Sequence, residues 1–200
     1  MRLVLFLFTL LFSATPALAT QTILVMGDSL SAGYGIRPEQ AWPSLLAKKL
    51  TEQRLDYNVA NLSISGETTA GGLSRLAAAL QQHKPAVVII ALGANDGLRG
   101  LPLSQMRDHL GRMIDASRQS GARILLVGMR LPPNYGVYAT QFQSSFKELA
   151  TTRKTGLLEF LLAPVASEIG YFQADKLHPT AEAQPLILNH LWPALRPLLK

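Results

Sequence analysis

The sequence predicts an α/β fold in which a parallel sheet lies between two layers of helices. Strand patterns and helix patterns alternate along the chain, and the connections between them are short. Residues 86–92 read AVVIIAL, an unbroken apolar run typical of a central parallel strand that is buried on both faces. The chain after residue 19 shows no repeat, low-complexity linker or change of composition. We therefore expect a single domain over residues 20–200.

Five short segments have the apolar composition of strands. They are 22–26, 57–62, 86–92, 123–129 and 157–160. Five further segments have the apolar period of amphipathic helices. They are 41–53, 70–82, 103–119, 137–154 and a last helix that begins near Thr180, its predicted N-cap. This alternation predicts a three-layer α/β/α domain with a flavodoxin-like five-stranded parallel sheet.

Residues 1–19 have the pattern of a secretory signal peptide. Arg2 precedes an apolar stretch over 3–12, and small residues lead to the A-x-A cleavage pattern at 17–19. That stretch is too short to cross a bilayer comfortably, although an uncleaved anchor or a buried first helix is the alternative interpretation. We expect a periplasmic or secreted protein that is cleaved near Ala19 and is not stably inserted in a membrane.

Composition excludes several classes of function. The chain is 48% hydrophobic and 16% charged, as is typical of a globular protein. Its net charge of +6 comes from scattered basic residues, whereas a nucleic-acid binder would concentrate them on one face. It has no cysteine, which excludes a thiolate nucleophile and zinc-thiolate sites, and no other cluster has metal-ligand spacing. We expect a monomer that uses no metal or cofactor and binds no nucleic acid.

Small and polar residues follow the predicted strands or stand in the last loop. In parallel sheets the carboxyl ends of the strands are where ligands bind, so these segments can meet at one edge. The segments are GDSLSAGY at 27–34, SISGETT at 63–69, GANDG at 93–97 and DKLHP at 175–179.

Together these segments supply the groups that acyl transfer requires. A serine hydroxyl becomes nucleophilic when an imidazole removes its proton, and a carboxylate can orient that imidazole. Ser29, His178 and Asp175 can take these catalytic roles if the loop that contains the last two turns tightly. The oxyanion needs donors aimed at one point. The candidates are the amides of Ser29 and Gly66 and the side chain of Asn95.

Other residues could take these roles instead. Asp28 adjoins the serine and competes as the triad acid, but aspartate also favours bonds to nearby backbone, and we assign it to the turn. Asp96 is expected to have a similar structural part. Three further histidines compete as bases, although all lie in helix patterns where a solvated or satisfied side chain is the default. They are His83, His109 and His190.

The four segments resemble the sequence blocks of the SGNH, or GDSL, hydrolase superfamily. The resemblance implies Ser29 as nucleophile, Gly66 and Asn95 in the oxyanion hole, and Asp175 with His178 as the rest of the triad. The stretches AWPSLLAKKL, NLSISGETTAGGL, MRLPPNYG and HPTAEAQP extend the likeness to the multifunctional thioesterase I / protease I / lysophospholipase subfamily. One departure is Lys176, which stands where the family often has glycine. If that position needs a positive φ, the lysine is strained.

The expected substrates are small acyl esters. The resemblance implies hydrolysis of acyl esters, thioesters and lysophospholipids, with arylesterase activity. Two apolar loops follow strands at the catalytic edge, and from them we expect Leu98, Leu101, Pro132 and Tyr135 to bind substrate. A carbohydrate O-deacetylase on the same fold and a non-catalytic lipid-binding protein are the alternatives.

Overall fold

The computed structural model describes residues 20–199, in which five parallel strands form one sheet with helices on both faces. The strands are β1 (Gln21–Gly27), β2 (Tyr57–Asn61), β3 (Val87–Ala91), β4 (Arg123–Val127) and β5 (Gly156–Leu158). Their order is β2-β1-β3-β4-β5, and each neighbouring pair is parallel. This is the flavodoxin-like order, so the predicted fold is confirmed. The predicted signal peptide at 1–19 lies outside the described residues.

Seven α-helices connect and flank the strands within residues 20–199. They are α1 (Ser29–Ala32), α2 (Trp42–Glu52), α3 (Thr69–His83), α4 (Ala94–Leu98), α5 (Leu103–Gln119), α6 (Val137–Arg153) and α7 (Gln184–Leu195). Short 3₁₀ turns occur at Pro38–Gln40, Pro133–Tyr135, Ile169–Tyr171 and Arg196–Leu198. In this part of the chain no helix is both long and apolar enough to cross a membrane.

The sheet separates two hydrophobic cores, one on each face. Alternate side chains of a strand point to opposite faces. In β1, Ile23 packs into the core that contains Trp42 of α2, whereas Leu24 packs into the core that contains Phe142 of α6. Both aromatic rings are fully buried. Packing on both faces of the sheet therefore holds β1, and with it the carboxyl end of the strand, in place.

The start of the last helix differs from the prediction. The helix α7 begins at Gln184, and Thr180 is not its N-cap. Thr180 instead continues an extended segment. Its amide donates to the Tyr171 carbonyl at 2.8 Å, next to an antiparallel bridge between Phe172 and Pro179. That pairing keeps the chain extended for the loop that carries His178, and the helix starts only afterwards.

Candidate active site

The tight turn after β1 places Ser29 at the edge of the sheet. The strand ends at Gly27, where a Cβ atom would lie 2.7 Å from the Cβ of Ser31, so only glycine fits. Asp28 then caps the short helix α1 by accepting from the Leu30 amide at 3.0 Å. Ser29 is the first residue of that helix. Its side chain leaves the sheet at the point between β1 and β3 where the strand order reverses, which is where such folds bind ligands.

The loop after the Phe172–Pro179 bridge brings His178 to Ser29. The His178 Nε2 atom lies 2.8 Å from the Ser29 Oγ atom, and its Nδ1 atom lies 2.7 Å from Asp175 Oδ2. The other oxygen of Asp175 accepts from the amides of Leu177 at 2.9 Å and His178 at 3.0 Å. An ionised carboxylate can only accept, so Nδ1 carries the imidazole proton and Nε2 is left to accept from the serine hydroxyl.

These hydrogen bonds keep Asp175 ionised. The backbone amide of His178, then its side chain, then the backbone amide of Leu177 lower the pKa of Asp175 to about 2. The Asp175 side chain is 41% exposed, so its charge is maintained by hydrogen bonds and hardly opposed by burial. Its position requires a positive φ at Lys176, which has φ 56°. Lys176 therefore adopts the left-handed conformation, and the strain expected for a lysine in that conformation is present.

The histidine loop is tied to the loop that follows Ser29. The side-chain amide of Gln173 donates to the Tyr34 carbonyl at 2.7 Å and to the Pro179 carbonyl at 3.1 Å. The rings of Tyr34 and His178 lie 4.5 Å apart between centres. These three contacts, which the sequence did not indicate, help to fix the distance between the base and the nucleophile.

The residues that carry the three predicted oxyanion donors line the same cleft. Within residues 20–199 the amides of Ser29 and Gly66 donate no hydrogen bond, so both remain available to a ligand. Gly66 has φ 79°, a conformation that favours glycine. The Asn95 Nδ2 atom lies 3.0 Å from the Glu67 carbonyl oxygen and 3.4 Å from Asp28 Oδ2. These contacts orient the amide at the start of α4.

Asp28 supports the turn and is not the partner of His178. It is 2% exposed, and burial raises its pKa to about 6 although the Leu30 amide opposes the shift. Asp96 is also buried. One of its carboxylate oxygens accepts from the Thr69 amide at 2.9 Å, and the other accepts from the Thr69 hydroxyl at 2.5 Å. It thereby joins α4 to the start of α3. The structural roles predicted for both aspartates are confirmed by these bonds.

The other histidines lie in structural positions. His109 has Nδ1 3.1 Å from the Thr69 hydroxyl, and His190 has Nε2 3.0 Å from the Phe160 carbonyl oxygen. His83 ends α3. Among the residues that the structure describes, only His178 is within hydrogen-bonding distance of Ser29. No group of His, Asp and Glu side chains in the same range is arranged to hold a metal ion.

A cleft of about 470 Å³ opens beside the triad. Most of the side chains that line it away from the triad are apolar. They include Leu30, Leu98, Met129, Leu131, Pro132, Phe160, Leu162 and Phe172. Such a cleft suits an acyl chain.

Two of the four predicted substrate-binding residues line this cleft and two do not. Leu98 and Pro132 are part of its wall, whereas Leu101 and Tyr135 are not. The Tyr135 hydroxyl donates to the Leu98 carbonyl at 3.0 Å, and the Tyr138 hydroxyl donates to the Leu101 carbonyl at 2.6 Å. The tyrosines therefore hold the loop after α4 in place from outside the cleft.

Most residues of the cleft wall were not predicted from the sequence. Met129, Phe160 and Phe172 line the cleft but were assigned no role. The signal that could have identified the first two was their position just beyond the ends of β4 and β5, at the same edge as Ser29.

A family comparison accords with this architecture. Residues 25–185 match the GDSL-like Lipase/Acylhydrolase family, and the chain belongs to it. It is an esterase-type enzyme with the SGNH hydrolase fold.

Individual relatives extend the likeness over most of the chain. It is 47% identical to Esterase TesA of Pseudomonas aeruginosa over 186 residues, 92% of each chain. It is 40% identical to Thioesterase 1/protease 1/lysophospholipase L1 of Escherichia coli over 195 residues, 97% of this chain and 92% of that one. A crystal structure of TesA superposes with a TM-score of 0.88 at 48% identity, covering 90% of this chain and 100% of that chain. The predicted subfamily resemblance is confirmed.

Proposed function

We propose that the protein hydrolyses acyl esters and thioesters through a Ser29–His178–Asp175 triad and an acyl-enzyme. The observation that carries the proposal is the unbroken chain of contacts, 2.8 Å from serine to imidazole and 2.7 Å from imidazole to carboxylate. Both distances lie within the range of a catalytic hydrogen bond even before substrate binds.

In the first half of the reaction, His178 Nε2 accepts the hydroxyl proton while Ser29 Oγ attacks the acyl carbonyl. The resulting imidazolium is stabilised by Asp175, whose lowered pKa keeps it negative throughout the neutral range. His178 then gives its proton to the leaving alcohol or thiol. In the second half, water takes the place of the serine hydroxyl, and the acyl-enzyme is hydrolysed.

The tetrahedral intermediate places a negative charge on the former carbonyl oxygen. The free amides of Ser29 and Gly66 and the side chain of Asn95 are its proposed donors. Such donors act when charge develops, and each contributes about 3 kcal/mol to lowering the barrier.

The substrate class follows from the cleft and from the relatives. Its apolar wall favours medium or long acyl chains over the acetyl groups that a carbohydrate O-deacetylase would remove. The names of the relatives include esterase, thioesterase and lysophospholipase, and we propose the same range of acyl substrates here. A non-catalytic lipid-binding role does not require the triad contacts.

We further propose that the enzyme acts outside the cytoplasm as a monomer. The pattern at residues 1–19 supports export and cleavage near Ala19. The mature chain would then begin at Thr20, one residue before β1.

Steady-state kinetics test this proposal. The mature enzyme is expected to hydrolyse p-nitrophenyl octanoate with a higher kcat/KM than p-nitrophenyl acetate. In Ser29→Ala, hydrolysis should fall to background while circular dichroism shows an intact fold. Ser104→Ala is the matched control because Ser104 is an exposed serine outside the cleft. Turnover by a folded Ser29→Ala would exclude the triad mechanism, and a preference for acetate would favour the deacetylase.

A further inference from the structure

The turn at residues 64–67, between β2 and α3, contributes to the oxyanion hole in two ways. It carries Gly66, whose amide is one proposed donor. It also carries Glu67, whose carbonyl oxygen lies 3.0 Å from the Asn95 Nδ2 atom and so orients a second donor. The Glu67 amide closes the turn by donating to the Ile64 carbonyl at 3.1 Å. A shift of this one turn would therefore displace the Gly66 amide and weaken the hold on Asn95 together.

An ion pair that the proposed mechanism does not use attaches this turn to α3. The Arg75 Nε atom donates to Glu67 Oε2 at 2.6 Å, and a terminal nitrogen of the same guanidinium also contacts that oxygen. The Glu67 side chain is only 11% exposed, and that of Arg75 is 24% exposed. Charges that are largely removed from water interact more strongly than exposed ones, so this pair is a firm attachment and not a solvated surface contact.

The surroundings of the pair accommodate both of its members. A Cβ atom at Gly71, in the first turn of α3, would overlap with Glu67 Oε1, so the lack of a side chain there leaves room for the carboxylate. The Arg75 Nη1 atom lies 3.9 Å from the sulfur of Met26 in β1. The guanidinium thus contacts both the oxyanion turn and the strand that leads to Ser29.

Stability alone is a weak reason for such a pair. Taking two charges out of water costs free energy that their attraction often only offsets, and apolar residues of similar volume commonly stabilise a fold as well or better. A charge-assisted hydrogen bond adds strength and a fixed direction. A turn that must aim one donor and orient another needs that direction more than it needs apolar packing.

We propose that Glu67 and Arg75 are positioning residues of the oxyanion hole. Their ion pair fixes the turn, so that the Gly66 amide and the Asn95 side chain are aimed at one place before substrate binds. This inference rests on the proposed function, in which both donors stabilise the tetrahedral intermediate. Within residues 20–199, neither Glu67 nor Arg75 belongs to the cleft lining, so both act through the donors and not on the substrate.

A pair-deleted variant of the mature enzyme, Glu67→Gln with Arg75→Met, tests the inference. Removing both partners avoids leaving one uncompensated charge in a shielded place. With p-nitrophenyl octanoate we expect kcat to fall about tenfold, because small displacements of catalytic groups are costly. KM should change less than about twofold, since the oxyanion forms only in the transition state. If the double substitution unfolds the protein, Glu67→Gln alone carries the same test at nearly unchanged side-chain shape.

The same substitutions in an Asn95→Ala background separate positioning from a general structural role. One of the two donors is then already absent, so the loss of kcat should be smaller than in wild type by a factor of about three or more. Damage unrelated to the oxyanion hole would lower kcat by the same factor in both backgrounds.

The control is Asp115→Asn with Arg153→Met, which removes an ion pair between α5 and α6 outside the cleft. It should keep the wild-type kcat, whatever its effect on urea unfolding. An unchanged kcat in the folded pair-deleted variant, or an equal loss of kcat with and without Asn95, would overturn the inference. Failure of the proposed function looks different, since wild type would then hydrolyse the ester no faster than Ser29→Ala.

Discussion

Replacing Asn95 with alanine tests the proposed oxyanion hole. The side-chain amide has two hydrogens. One is directed to the Glu67 carbonyl oxygen at 3.0 Å, and the contact to Asp28 Oδ2 is 3.4 Å, longer than an ordinary N–H···O bond. The second hydrogen is therefore weakly held in the free enzyme and can be donated to a developing oxyanion.

The structure predicts different energies for catalysis and for stability. Losing one oxyanion donor raises the barrier by about 3 kcal/mol, which lowers kcat on the order of a hundredfold. Losing the bond to Glu67 lowers the free energy of unfolding by about 1 kcal/mol. Because the oxyanion forms only in the transition state, KM should change far less than kcat.

The assay combines two measurements on Asn95→Ala. Hydrolysis of p-nitrophenyl octanoate gives kcat and KM, and urea unfolding gives the change in stability. Asn58→Ala is the control because Asn58 is exposed on the edge strand β2. A kcat within about threefold of wild type in a folded Asn95→Ala would refute the oxyanion role, since a missing donor costs far more than that.

Three further predictions concern the other parts of the site. Asp28→Asn removes a carboxyl whose pKa is raised from 3.8 to about 6. The native state of the wild type binds this proton more tightly than the unfolded state does, so the wild type loses stability as pH rises through that window. In urea unfolding, the stability of the variant relative to wild type should therefore rise by about 2 kcal/mol from about pH 4.5 to about pH 7.5, and a pH-independent difference would contradict the assignment. Asp175→Asn should lower kcat on the order of 10³–10⁴-fold, because asparagine cannot stabilise the imidazolium. Ionised Asp175 also stabilises the wild type, and this stability should be lost as pH falls from about 4 to about 2. Acid titration of Asp175→Asn should not show this loss. Gly66→Ala places a side chain at φ 79° and should reduce both stability and kcat, whereas Gly100→Ala, at φ 65° with no atom near the new Cβ, should reduce stability alone. Equal kcat values in the two variants would show that catalysis does not depend on the left-handed conformation of Gly66.

The fold could be predicted because its signals are local. The run at 86–92 has no polar residue, and β3 at its centre is buried at every position. The start of α7 could not be predicted from such signals. Thr180 is a favourable N-cap residue, but the pairing of Phe172 with Pro179 keeps it extended. That pairing is a tertiary interaction, and it overrides the local preference.

The site was predictable where the chemistry restricts the residue type. Serine, histidine and aspartate at 29, 178 and 175 each have few substitutes for acyl transfer, and the parallel sheet brings their segments together. The cleft wall was less predictable, because any apolar residue can serve there. Leu98 lines the cleft whereas Leu101 does not, although the two leucines lie close together in sequence. The position of this segment depends on tertiary contacts, in which tyrosine hydroxyls from α6 and the turn before it donate to the backbone carbonyls of both leucines.

The most direct test of the central claim is the site of covalent labelling by a fluorophosphonate, mapped by mass spectrometry of peptides. Such a reagent traps a serine that a neighbouring base has activated. The account predicts a single adduct on Ser29 in the mature enzyme and a labelling rate greatly reduced in His178→Ala. An adduct on another residue, or labelling of Ser29 at an unchanged rate without His178, would contradict it.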